Sequence, residues 1–167
     1  MKKNNIRLVI TGIEPHYDEV DSYSINLCLG DWCNEWANND SSGIPIHFLS
    51  HPWTNNDRYE QDHKEIMISF NLISDLLSDC LSRSLNAPND KRFWQIIIAP
   101  WLSRFLTSYR EHKILINEVI NQYPDSTINY LSVKARKDFT PNTTNEAIDY
   151  LESEEFNSIL YSDILKY

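Results

Sequence analysis

The stretch from Ser24 to Trp36, Ser-Ile-Asn-Leu-Cys-Leu-Gly-Asp-Trp-Cys-Asn-Glu-Trp, constrains the fold more than any other. Its first half is apolar and reads as a short buried strand. Gly30 punctuates it, and Asp31, Trp32, Cys33, Glu35 and Trp36 follow at once. In an open α/β sheet, ligands sit in the crevice outside the carboxyl ends of the strands. A strand that runs into Gly-Asp-Trp-Cys brings a carboxylate, a thiol and two indoles to such an end. The competing reading is structural: Gly30 makes a tight turn, Asp31 caps the next turn, and the tryptophans fill the core.

The rest of the chain fits the same plan. Ile6 to Gly12 reads as a first strand and Ser24 to Leu29 as a second. Ile44 to Ser50 reads as a third, with Pro45 compatible with an edge or first position, and Thr127 to Val133 as a fourth. Between the third and fourth lie two long amphipathic helices. The first opens at Thr54, a candidate N-cap with Asp57 in the capping-box place. It carries Tyr59, His63, Ile66, Phe70, Ile73, Leu77 and Cys80 or Leu81 on one face to about Leu85. The polar run Asn86 to Asp90 ends it.

The second helix, Lys91 to Tyr123, aligns Trp94, Ile97, Ile98, Trp101, Phe105, Tyr109, His112 and Ile116. Pro100 inside it predicts a kink. His63 and His112 fall on apolar stripes and read as packed core histidines. After the turn at Tyr123 to Ser126 and the fourth strand comes a polar loop, Asp138 to Thr144. Asn145 to Leu151 and Glu155 to Tyr167 then read as two short acidic helices. The expected fold is therefore one α/β domain over residues 1–167. It has a Rossmann-like open, mostly parallel sheet of about four strands, two long helices and two short C-terminal ones.

Charge and composition exclude several functions. Only three glycines are present, and neither G-x-G-x-x-G nor the P-loop pattern occurs, so no glycine-rich phosphate cradle is expected. The net charge of −9 makes a general nucleic-acid binder a poor fit. That charge is uneven. Asp138 to Tyr167 holds seven acids against one base, whereas Asp90 to Asn121 holds five bases against three acids. Arg92 and Arg104 on this basic helix lie twelve residues apart, roughly 18 Å along the axis. They cannot grip one small phosphate together; either could pair with Asp31 or with an acid of the C-terminal segment.

Three cysteines without a CxxC pair argue against a disulfide framework and for a reducing cytoplasm. No apolar run approaches the ~20 residues needed to span a bilayer, which leaves peripheral attachment to the inner membrane face open. Glu14, Asp31, Cys33, His47 and His51 invite a metal or nucleophile reading. The zinc spacings are absent, so no metal or other cofactor is expected in this chain. A Cys33–His51 thiolate pair would mark a small thiol hydrolase.

Three motifs in order carry a family resemblance. Leu-Gly-Asp-Trp-Cys (29–33) is followed by His-Pro-Trp-x-x-x-Asp-Arg (51–58) and by Arg-Phe-Trp-Gln-Ile-Ile-Ile-Ala-Pro-Trp-Leu (92–102). Leu160 to Leu165 adds a terminal Leu-Tyr-Ser-x-Ile-Leu segment. The pattern resembles a family of transferases tied to bacterial O-antigen and other surface polysaccharides, over nearly the whole chain. Asp31 stands where that family usually has Glu, Ala99 where it has Gly, and Asn55 and Asn56 dilute its acidic second motif.

The resemblance implies a GT-B-like glycosyltransferase of two domains, with this chain as the amino-terminal, acceptor-side part. The nucleotide-sugar domain would be a partner lying outside the chain, and a sugar or glycan acceptor the ligand. Asp31 or His51 would act as general base toward a sugar hydroxyl. Glu14, Trp32 and Trp53, with the motif arginines Arg58 and Arg92, would bind substrate. The alternative is a stand-alone α/β binding module without catalysis.

Overall fold

The structure, a computed structural model, describes residues 5–12, 23–86, 91–130 and 141–166. Four parallel strands form one sheet among these residues: β1 (Asn5–Val9), β2 (Ile25–Cys28), β3 (Ile46–Phe48) and β4 (Thr127–Tyr130). Their order is β3-β2-β1-β4, with Leu8 opposite both Leu27 and Tyr130. The α/β expectation holds. In this order the chain switches direction of travel across the sheet between β1 and β4, and such a switch point opens a crevice at the strands' carboxyl ends.

The strands are shorter than the sequence predicts. Ile10 and Thr11 are buried but have left the ladder, because β1 runs out over the carboxyl edge. There the Ile10 carbonyl accepts the Trp32 indole N–H (2.9 Å) instead of a strand bond. β3 starts after Pro45, whose carbonyl accepts the Asn26 amide (2.9 Å). Residues 131–133 of the expected fourth strand and 138–140 of the following loop lie outside the described residues.

Alternation along the strands splits the core in two, as the period of two requires. Ile6, Leu8, Ile10, Leu27 and Leu29 face one side. They pack there on Leu115, Ile116 and Val119 of α3 (Lys91–Gln122) and on Tyr161 of α5 (Glu154–Ile164). Val9 and Cys28 face the other side with Cys33 and Trp36. A short helix unforeseen in the sequence, α1 (Asn34–Asn39), covers that side. The Arg7 guanidinium lies 4.9 Å from the centre of the Trp36 ring. A third cluster, built on Ile66, Leu102 and Leu106, joins α3 to α2 (Asn56–Ser84).

Asn55, not Thr54, caps α2: its Oδ1 accepts the amides of Asp57 (2.9 Å) and Arg58 (3.3 Å). Asp57 is thus the second residue of the helix and outside the capping-box position. The predicted face of α2 holds only in its middle. Ile66 is buried and Phe70, Ile73 and Leu77 half-buried, while Tyr59, His63 and Cys80 are exposed. In the turn around Asp62 it is that carboxylate which faces α3, and His63 stacks on Tyr59 (5.9 Å) instead of entering the core. On α3, Ile97 and Tyr109 are likewise exposed, and Leu102 and Leu106 take buried places.

The helix runs through Pro100 as one element, as its apolar stripe predicts. Pro100 is exposed, so the carbonyl it strands four residues earlier can turn to water. Arg104 pairs with Glu152 (3.6 Å), the expected meeting of the basic helix and the acidic segment. Glu152 follows α4 (Thr144–Leu151), capped by Thr143 through the Glu146 amide (3.1 Å). No described helix is long and apolar enough to cross a membrane.

Leu115 is fully buried where α3 meets the sheet. Leu115→Ala should lower stability by about 3 kcal/mol, the transfer loss plus the cavity left behind, measured by urea unfolding followed by far-UV circular dichroism.

Candidate functional site

At the carboxyl edge of β1 and β2 the chain encloses a cavity of about 540 Å³, a size suited to a small organic ligand. Ile10 and Thr11 from the end of β1 and Trp32 from the turn after β2 form its floor and one side. His51 comes from the loop after β3, Ser108, Glu111 and His112 from α3, and Glu154, Asn157 and Tyr161 from α5. The α3 contribution follows from helical spacing. Positions 111 and 112 lie one turn, and 108 two turns, before Leu115 and Ile116 on the same face, so the side that packs the sheet also faces the cavity.

Two glycines make room for Trp32. A Cβ at Gly30 would lie 2.3 Å from the Trp32 ring, and one at Gly12 would lie 2.8 Å from the Trp32 carbonyl oxygen. Gly30 has φ 173°, ordinary extended backbone, so the close ring demands glycine there and the dihedral does not. Asp31 begins the 3-10 turn Asp31–Cys33, which has no side-chain cap. The structural reading of this stretch is therefore half right: Trp36 is buried, but Asp31 caps nothing and Trp32 stays 38% exposed.

His51 is held from both sides. Its Nδ1 accepts the Trp53 backbone N–H (3.2 Å), and its Nε2 meets Glu111 Oε1 at 3.1 Å. An Nδ1 that accepts must be unprotonated, so the network assigns the proton of the neutral ring to Nε2, where it is donated to Glu111. Burial raises the Glu111 carboxyl above its ordinary value, and the neighbouring His51 imidazole opposes part of that rise. A carboxylate so destabilised is a stronger base than one in water.

Behind this pair His112 is buried, its ring stacked on Tyr161 (centroids 3.7 Å, 17°) and its Nε2 3.0 Å from Asn157 Oδ1. The expected core histidine is confirmed at this position. Burial lowers its pKa from 6.5 to about 4, so the ring is neutral at physiological pH. Tyr161 is also fully buried, and its phenol is pushed well above its usual value, first by burial and then by the nearby Glu111 and Cys33.

The other residues singled out from sequence are dispersed. Glu14 lies outside the described residues. Asp31 is exposed one residue before Trp32 and does not line the cavity. Trp53 backs His51 (5.7 Å between rings), and its Nε1 donates to Asp62 (3.1 Å). Arg58 lies in a separate cleft, paired with Glu118 and 3.8 Å from Asp62. Arg110 holds the buried Asp62 carboxylate through Nε (2.8 Å) and Nη2 (2.6 Å). Arg92 is the second residue of α3, about 24 Å along the helix from Ser108, and lines no part of the cavity.

Cys33 overturns the thiol reading. It is fully buried, its Sγ donates to the Val9 carbonyl (3.4 Å), and the adjacent Cys28 together with burial pushes its thiol far up. A thiol so held supplies no thiolate to His51. No group of three His, Cys, Asp or Glu able to hold a metal ion occurs among the described residues.

Sequence reasoning missed Glu111, Glu154 and Asn157. Nothing local marks them, since each is one charged or polar residue on an amphipathic helix. Tyr161 did carry a signal, because it sits in the Leu-Tyr-Ser segment of the family pattern.

His112 fixes the sign of one pH effect. Its folded pKa is below the unfolded value, so the unfolded chain binds the extra proton more readily between pH 6.5 and about 4. Stability should therefore fall on acidification through that window, by ~3 kcal/mol in all. His112→Gln should remove this component. In urea unfolding, the wild type should lose more stability than the variant between pH 7 and pH 4.5.

A family model described as LIC12162 family transferase matches residues 6–167. No curated protein and no solved structure matches the chain. With nearly every residue inside that match, the chain belongs to the LIC12162 family of transferases.

Proposed function

We propose that this chain forms the acceptor side of a glycosyl transfer in bacterial surface-polysaccharide synthesis, of the O-antigen kind, with the nucleotide-sugar bound by a further, GT-B-like domain. Family membership supports the transferase part. The observation that carries the rest is the cavity at the strand ends, where a desolvated carboxylate, Glu111, is held by His51 beside the Trp32 indole. Its described lining contains no Lys or Arg, a setting that suits sugar hydroxyls and not a pyrophosphate.

Both His51 nitrogens are engaged, so His51 orients and Glu111 accepts the proton. The acceptor hydroxyl gives its proton to the Glu111 carboxylate, and its oxygen forms the new bond to the anomeric carbon. The nucleoside diphosphate leaves with the electrons of the old bond. Trp32 offers an apolar wall for a sugar ring. Asp31 precedes Trp32 and Trp53 packs on His51, while Arg58 and Arg92 lie apart from the cavity; in this scheme Glu14 adds an acceptor contact. The free cysteines Cys28, Cys33 and Cys80 fit work on the cytoplasmic side of the inner membrane.

A second reading, a binding module without catalysis, draws on α2. Ile68, Leu72 and Leu76 are each more than 60% exposed on the helix side opposite its buried residues, a stripe suited to a partner.

Release of nucleoside diphosphate from a panel of nucleotide-sugars, measured with the chain alone and with it joined to a donor-binding domain, separates the two. The purified 167 residues should release none while still binding a saccharide; turnover by this chain alone would overturn the division of labour. Joined to a donor-binding domain, Glu111→Gln should slow turnover about 100-fold or more with KM little changed. Unchanged turnover in that variant would remove Glu111 from the chemistry.

A further inference from the structure

The cavity's charge is lopsided. Glu111, Glu152 and Glu154 line it, and no Lys or Arg does among the described lining residues. His112 offers no cation, because burial keeps its ring neutral. Two of the carboxylates have partners on the protein: Glu111 meets His51 at 3.1 Å and Glu152 meets Arg104 at 3.6 Å.

Glu154 differs. It opens α5 after the capping Ser153, and its Oε1 lies 3.5 Å from where a Cβ of Gly12 would be. Its Oε2 is buried without a hydrogen-bond partner. A second polar atom in the same wall is in the same condition. Tyr161 is fully buried, and its hydroxyl has no hydrogen-bond partner. Buried polar atoms of this kind are nearly always satisfied, and an ionised carboxylate accepts only. The missing group is therefore a donor, and the surplus of carboxylates asks for a positive one.

We infer that the cavity takes a ligand bearing a protonated amine, with Glu154 as the carboxylate that receives the ammonium and the Tyr161 hydroxyl as a neighbouring polar contact. Resting on the acceptor role proposed above, this names the acceptor class as an amino sugar with a free amine. The ammonium pairs with the Glu154 carboxylate, and the sugar ring lies toward Trp32 and the His51–Glu111 pair. Phosphorylated and carboxylated sugars are rejected by the same field.

Isothermal titration of the full chain at pH 7 and low ionic strength, with glucosamine, glucose and glucose 6-phosphate as probes, tests this. Glucosamine should bind at least about tenfold more tightly than glucose, the usual strength of a charged hydrogen bond, and glucose 6-phosphate most weakly. Glu154→Gln should erase the preference for the amine, so that glucosamine binds no more tightly than glucose. Glu154→Asp, which keeps the charge, should retain the preference. Equal binding of glucosamine and glucose by the wild type, or a preference that survives in Glu154→Gln, would overturn the inference while leaving the saccharide site standing. Binding of none of the three probes would overturn the inference and the acceptor role together.

Discussion

The packing of α3 across the sheet is the contact on which the rest depends. Leu115, Ile116 and Val119 seat that helix on Ile6, Leu8 and Leu27, a dry contact that fixes both its rotation and its height. One turn earlier the same face has passed the edge of the sheet, so the next inward side chains, Glu111 and His112 and then Ser108, meet a cavity and not a strand. Core and site are successive turns of one stripe. A shift of α3 that relieved the core would carry Glu111 away from His51, so the precision of the site comes from apolar packing some distance from it.

The two ends of α3 have different partners, which explains the distribution of buried charge. Its first half packs on α2 through Leu102 and Leu106, and its second half packs on the sheet. Between them Asp62 is buried against Arg110, with Trp53 donating to it from the loop that carries His51. A buried carboxylate is tolerated only when paired and hydrogen-bonded, as this one is. The effect is to tie the His51 loop to α2 and α3 at once. Glu111 has less: one imidazole partner and the remaining desolvation, which leaves it basic.

The elements themselves were legible, because the strands are short β-rich runs and the helices strongly periodic. What failed did so where neighbours decide. His63 lies at the right spacing for a core, but spacing cannot fix the rotation of the helix, and in that turn of α2 it is Asp62 that meets Arg110 of α3 while His63 stays exposed. Thr54 and Asn55 are both good caps in adjacent places, and only the backbone selects Asn55. α1 escaped notice because six residues of Asn, Glu, Trp and Ala hold too little periodicity. Within the site, Trp32 and His51 were visible as residues just past strand ends. Glu111 was hidden in a stripe whose other members are core, since the edge of the sheet leaves no mark on the helix sequence.

The central claim is that ligand binds where α3 and α5 overhang the carboxyl ends of β1 and β2. Chemical-shift mapping on the 15N-labelled chain during titration with a monosaccharide tests it most directly. The account predicts that shifts cluster at Ile10 to Gly12, Trp32, His51, Ser108 to His112 and Glu154 to Tyr161, while α2 stays still. Shifts confined to α2 around Ile68 to Leu76, with none at the strand ends, would contradict it.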